Sequence, residues 1–165
     1  PAHLWSLGAL LNEYPDALLI HTHRDPLRVV CSLASLIDLL RRLASDQVSI
    51  AEIAHEWVED VAVGLDRAVE ARRQGLVPPG QAVDVFFGDF LADPMAVVYE
   101  IYERLGIELT PEAEKRMREF LADNPKEKHG GHAYTFADTG LDEGTLRDRT
   151  RAYKEFFDVP DEPLP

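Results

Sequence analysis

The sequence predicts an α/β fold, rich in helix and built on parallel strands. Two continuous apolar runs, 17–22 and 82–87, have strand length, and such unbroken runs are the pattern of strands buried on both faces. Each is followed by an Asp-Pro pair, Asp25-Pro26 and Asp93-Pro94, which reads as a helix N-cap with Pro at the first helical position. The segments beyond those pairs repeat apolar residues at helical spacing. Two strands are too few for such a sheet. The expectation is therefore that residues 1–165 are the C-terminal part of a larger domain, with the missing strands upstream of Pro1 or on another chain.

Taken in order, residues 4–12 read as a short helix, "YPDA" as a turn and 17–22 as the first strand. A helix runs from Asp25-Pro26 to about Ala44, with Val29, Val30, Leu33, Leu36, Ile37 and Leu40 as its apolar face. A second helix covers about 50–74, with Ile50, Ile53, Ala54, Trp57, Val58, Val61, Leu65, Ala68 and Val69 on one stripe, and "GLVPPGQ" ends it as a loop. The second strand, 82–87, leads through "GDFLADP" to a helix that starts near Asp93-Pro94 and stops at Gly106. Thr110 and Pro111 open a further helix that stops before Pro125. Residues 124–142 read as a Gly- and His-bearing loop, and a last helix spans about 143–157. There is no internal repeat and no low-complexity segment.

Composition narrows the partners. An apolar content of 45% supports a real core, and the formal net charge of −13 argues against nucleic acid, whose backbone needs a broad basic surface. A small anion held by a few local cations is compatible with it. The paired and clustered basic residues otherwise read as solvated faces. No run is long or apolar enough to span a membrane, and the opening "PAHLW" shows no export signal. The single cysteine, Cys31, forms no internal disulfide and lies in an apolar helix pattern, where a small buried residue is the expectation. A reducing, cytoplasmic setting fits. The sequence leaves the oligomeric state open.

The stretch "LLIHTHRDPLRVVCSL", Leu18 to Leu33, sets the functional question. Ligands of open α/β sheets bind beyond the carboxyl ends of the strands. Arg24 stands at such an end, where the following helix presents free N–H groups and the positive end of its dipole. Arg offers a planar fork suited to phosphate oxygens, and Ser32, two turns on, carries a further donor. The competing reading pairs Arg24 with a carboxylate such as Asp25 or Asp89 and makes Ser32 a small core-facing residue.

The stretch from His3 to Leu36 resembles the central part of the sulfotransferases that use 3′-phosphoadenosine 5′-phosphosulfate (PAPS), in their divergent bacterial branch. In that family a strand ends in Arg, a Ser follows eight positions later, and the two hold the nucleotide 3′-phosphate. Arg24 and Ser32 match that spacing. "FFGDFLADPMAVVYEIYERLGI" is similar to the family's strand, acidic residue, Pro-opened helix and "LG", with Asp89 as the acidic residue and Phe87 where the family has an aromatic near the adenine. Gly88 replaces the usual Glu. "MREFLADNP", "YTFADTGLDEG" and "YKEFF" are similar to later segments, so the likeness covers nearly the whole chain.

The resemblance implies a P-loop-type parallel-sheet domain of which 1–165 is a part. The family's Lys- and Gly/Ser-bearing phosphosulfate loop would lie upstream of Pro1, so the fragment alone is expected to be inactive. It implies PAPS as co-substrate, transfer of a sulfuryl group to a hydroxyl or amine acceptor, and no metal. His3 takes the place of the family's general base, although some branches use a carboxylate there; a capping or surface His is the alternative. "KEKHGGHAY" stands where the family has its phosphate clamp, which offers Lys126, Lys128, His129 and the backbone at Gly130, or else a solvated loop.

Three other classes stay in view. His21 and His23 alternate on a strand, and His129 and His132 share a loop; such pairs can bind a metal, but no Cys or carboxylate falls at supporting sequence spacing. Another P-loop-type nucleotide-dependent transferase, such as a small-molecule kinase, would prefer ATP to a 3′-phosphorylated adenosine. A non-catalytic remnant would act as a binding module.

Overall fold

The computed structural model describes residues 2–125 and 134–165. In chain order these form a 3-10 turn Ala2–Ser6, α1 Leu7–Glu13, β1 Leu19–His23, α2 Pro26–Arg42, α3 Ile50–Arg73, β2 Ala82–Phe86, α4 Phe87–Ala92, α5 Pro94–Arg104, α6 Pro111–Asp123, a second 3-10 turn Phe136–Thr139 and α7 Glu143–Phe157. The chain divides into two compact units. One gathers the N-terminal segment to Asp16, then Arg24–Val77, then the C-terminal segment; the other comprises Ala17–His23 and the segment that starts at Pro78.

The second unit is the sheet. β1 and β2 pair in parallel, with Leu19 opposite Ala82, His21 opposite Asp84 and His23 opposite Phe86. Because side chains alternate, Val83 and Val85 share one face and pack on Val97, Ile101 and Leu105. On that same face Ile20 of β1 is 54% exposed within residues 1–165. α5 is capped by Asp93, whose Oδ1 accepts from the N–H groups of Met95 (3.1 Å) and Ala96 (3.0 Å). Two corrections to the sequence reading fall here. The second strand ends at Phe86 and not at Phe87, and Phe87 opens the short helix α4, in a stretch to which the sequence reading gave no element.

The first unit is helical. Asp25 caps α2 by accepting from Leu27 N–H at 3.0 Å, and Ser49 caps α3 through Glu52 N–H at 3.3 Å. The buried stripe of α2 is Leu27, Val30, Cys31 and Ala34, which packs on α3 and on Leu146 of α7. This corrects the expected face. α2 is covered along its first turns, while Leu36, Leu39, Leu40 and Leu43 near its other end are exposed. α7 buries Leu146, Thr150, Tyr153 and Phe157. Its Arg149 ties it to α3 by donating to Glu59 and Asp66. Part of the region read as loop forms the second 3-10 turn, closed by a capping box between Thr135 and Asp138. Asp158 ends α7 at φ 54°, a left-handed conformation that Asp tolerates. Val159 is then buried, and the C-terminal segment returns to the start of α2.

Candidate functional site

Arg24, the first turn of α2, α7 and the C-terminal segment build a compact charged site in the first unit. β1 stops at His23, so Arg24 follows the strand directly and Asp25 caps the helix. Asp25 is fully buried. One carboxylate oxygen holds Leu27 N–H, and the other accepts from Glu162 N–H at 2.9 Å. Arg147 Nη1 and Lys154 Nζ, both on α7, lie 3.8 and 3.9 Å from it. One buried carboxylate thus fixes the helix start and the C-terminal segment together.

That arrangement brings Glu162 to Arg24. Arg24 Nε donates to Glu162 Oε1 at 3.1 Å and its Nη2 to Oε2 at 3.1 Å, a bidentate fork. Asp25 N–H points to the same carboxylate at 3.4 Å. Arg28, one turn into α2, has its Nε 3.8 Å from Glu162 Oε2. That Nε is buried and makes no hydrogen bond among the described residues. Two guanidiniums and a helix N-terminus therefore converge on one oxyanion, which here is supplied by the chain itself. The carboxylate partner of Arg24 is Glu162, rather than Asp25 or Asp89 as the competing reading had it.

The other expected residues are placed as follows. Ser32 is exposed on α2 and not core-facing; it lies four residues beyond Arg28, on the same side of the helix. His3 is exposed on the first 3-10 turn, which packs on α3: a Cβ built on Gly64 would meet Trp5 Nε1 at 3.0 Å, and Arg67 sits 4.6 Å over the Trp5 ring. No hydrogen bond or ion pair links His3 to Arg24 or Ser32 among the described residues. Phe87 starts α4 in the sheet unit. Lys126, Lys128, His129 and Gly130, like His132, lie outside the described residues. Cys31 is buried as expected, and burial pushes its thiol pKa up.

Arg28 and Glu162 had not been singled out. The four-residue steps from Arg24 to Arg28 to Ser32 are a signal for the first. Glu162 lies 138 positions from its partner and carries no local signal.

This geometry can be set beside known proteins. Residues 1–111 match the model of a sulfotransferase family. The curated omega-hydroxy-beta-dihydromenaquinone-9 sulfotransferase Stf3 of Mycobacterium bovis is 28% identical over 135 residues, covering 82% of this chain and 34% of that protein. The chain thus spans about a third of the length of that relative. The crystal structure of the Mycobacterium avium sulfotransferase STF9 superposes with a TM-score of 0.83 at 30% identity, over 97% of this chain and 41% of that one. The sulfotransferase STF1 of Mycobacterium tuberculosis H37Rv superposes with a TM-score of 0.73 at 31% identity, over 91% and 37%. With two thirds of its residues inside the family model and its helix-rich α/β architecture shared with two solved sulfotransferases, the chain belongs to the sulfotransferase family.

Proposed function

We propose that the protein containing this chain transfers a sulfuryl group from PAPS to a hydroxyl, with an amine as the alternative acceptor, and that Arg24, Arg28 and the N-terminus of α2 bind the nucleotide's 3′-phosphate. The observation that carries this reading is the convergence of both guanidiniums and Asp25 N–H on one oxyanion. A 3′-phosphate brings three acceptor oxygens to donors of that geometry. Ser32 adds a hydroxyl on the next turn. Phe87 stacks on the adenine, and Lys126, Lys128, His129 and Gly130 complete the phosphate contacts. The relative named for a hydroxylated menaquinone derivative favours the hydroxyl acceptor.

The transfer balances simply. The acceptor oxygen forms a bond to sulfur, the bond from sulfur to the 5′-phosphate oxygen breaks, and 3′-phosphoadenosine 5′-phosphate leaves. The acceptor's proton passes to His3, an exposed imidazole suited to general base work. Arg24 and Arg28 act at a distance from sulfur: their binding energy orients the nucleotide. The phosphosulfate itself requires a cationic, glycine-bearing loop supplied by the remainder of the protein, and on this reading residues 1–165 alone are inactive.

Calorimetry on the full-length protein tests the proposal. Each charge-assisted contact contributes about 1.5–3 kcal/mol, so with Arg24 and Arg28 both engaged 3′-phosphoadenosine 5′-phosphate should bind about 10²–10⁴-fold more tightly than AMP. Arg24→Ala should remove most of that preference. Equal affinity for the two nucleotides would overturn the assignment.

A further inference from the structure

The same strand that delivers Arg24 carries a second constellation. His21 and His23, two residues apart on β1, project from one face of the sheet. The strand register sets Asp84 of β2 directly opposite His21, which supplies the carboxylate that sequence spacing alone did not reveal. His23 Nε2 lies 2.9 Å from Asp84 Oδ1, and His21 Nδ1 lies 3.7 Å from the same oxygen. One ligand atom from each of the three residues falls within 4.8 Å of the others.

We propose that His21, His23 and Asp84 form a binding site for one divalent transition-metal ion of the zinc class. Two imidazole nitrogens and a carboxylate oxygen are the donor set such ions take, and three protein ligands leave a position for water. In a tetrahedral site with bonds near 2.0–2.1 Å the ligand atoms stand about 3.3 Å apart. The two distances to Asp84 Oδ1 bracket that value, and all three ligand atoms lie within 4.8 Å of one another.

The site is built rather than incidental. His23 has no exposed side-chain surface, and Phe86 packs on its ring at 5.4 Å between centroids, which fixes the ring's orientation. The His21 ring lies 4.0 Å from that of His23. Asp84 is about one-third exposed, so the ion has a route in and the open position meets solvent. The three ligands belong to adjacent paired strands, and the bound ion staples β1 to β2. The test of this site does not depend on sulfuryl transfer.

The experiment uses the full-length protein, freed of metal by chelator dialysis. Cobalt(II) is titrated in and followed by its visible d–d absorption, and zinc(II) by calorimetry and thermal unfolding. The expected result is one equivalent bound, with low-symmetry cobalt bands and a raised Tm. Loss of an outer-shell partner of a metal already weakens binding by about 10–100-fold. His21→Ala and Asp84→Asn remove ligands, so each should weaken cobalt binding at least about tenfold and abolish the Tm rise. His21→Ala leaves the contact between His23 and Asp84 in place and keeps the test available if Asp84→Asn fails to fold. No binding to the wild-type protein, or binding that His21→Ala leaves unchanged, would overturn the proposal.

Discussion

Removing the carboxylate of Asp25 should destabilise the protein well beyond the loss of a helix cap. The residue is fully buried and accepts two backbone hydrogen bonds, from Leu27 N–H at one end and Glu162 N–H at the other. Replacing a capping Asp by Ala costs about 0.5–2 kcal/mol. A buried hydrogen bond to a charged acceptor adds about 1.5–3 kcal/mol. Arg147 and Lys154 keep Asp161 as a partner, so neither is stranded as an unpaired charge. The sum for Asp25→Ala is about 2–5 kcal/mol. Asp25→Asn separates the two contributions, because Asn caps as well as Asp but turns an NH2 group toward Glu162 N–H. Its cost should be the second part alone, about 1.5–3 kcal/mol. Urea unfolding of the full-length protein is the assay, with the midpoint read at constant slope. A double-mutant cycle with Glu162→Gln should show coupling above about 0.5 kcal/mol, since Asp25 positions the segment that carries Glu162. An Asp25→Asn variant within about 0.5 kcal/mol of wild type would refute the claim that this carboxylate fastens the C-terminal segment.

Three further outcomes follow from particular contacts. Cys31 is buried and its thiol pKa is pushed up by desolvation, so iodoacetamide should label it at neutral pH only after denaturation. Gly64→Val drives a side chain into the Trp5 ring, where even a Cβ meets it at 3.0 Å; by shifting the 3-10 turn that carries His3 it should lower kcat while nucleotide affinity, read by calorimetry, holds. The hydrogen bond from Arg149 holds Glu59 below the usual carboxylate range. Its contribution is therefore present above the ordinary glutamate value of about 4.3 and lost as pH falls below it. The stability difference between wild type and Arg149→Ala should accordingly shrink between pH 6 and pH 3 in urea titrations.

Local signals carried most of the element pattern. Asp25, Asp93 and Thr110, each before a proline, mark helix starts by supplying an acceptor where backbone N–H groups lack one, and the structure shows each bond. The end of β1 beside Arg24 was legible because an apolar run stops there. What was not legible depends on tertiary contact. Leu36 and Leu40 obey helical spacing as well as Leu27 and Val30 do, but periodicity does not say which turns a neighbouring helix covers. α4 lacks a side-chain cap, so its start at Phe87 leaves no mark. Asp84 meets His21 through strand register, and Glu162 reaches Arg24 by way of the left-handed turn at Asp158. Neither partnership has a sequence spacing to read.

Arg28 offers the sharpest test of the anion site, because it shares its one described carboxylate partner, Glu162, with Arg24. Its Nε is buried, makes no hydrogen bond among the described residues and stands 3.8 Å from the carboxylate that Arg24 already grips. An Arg donor removed from water without an acceptor is costly, and a phosphate with three oxygens can satisfy both guanidiniums where one carboxylate does not. If Arg28 serves the 3′-phosphate, Arg28→Ala should lower affinity for 3′-phosphoadenosine 5′-phosphate by about 10–100-fold, the equivalent of one charge-assisted contact. Affinity for AMP, which lacks that phosphate, should stay the same. Arg28→Lys should recover only part of the loss, since an ammonium keeps the charge and not the planar fork. An Arg28 that merely fastened α2 to its neighbours would behave differently: both affinities would fall together, with a lowered Tm. Equal losses for the two nucleotides on calorimetric titration would therefore remove Arg28 from the phosphate site and leave Arg24 to hold it with the helix terminus.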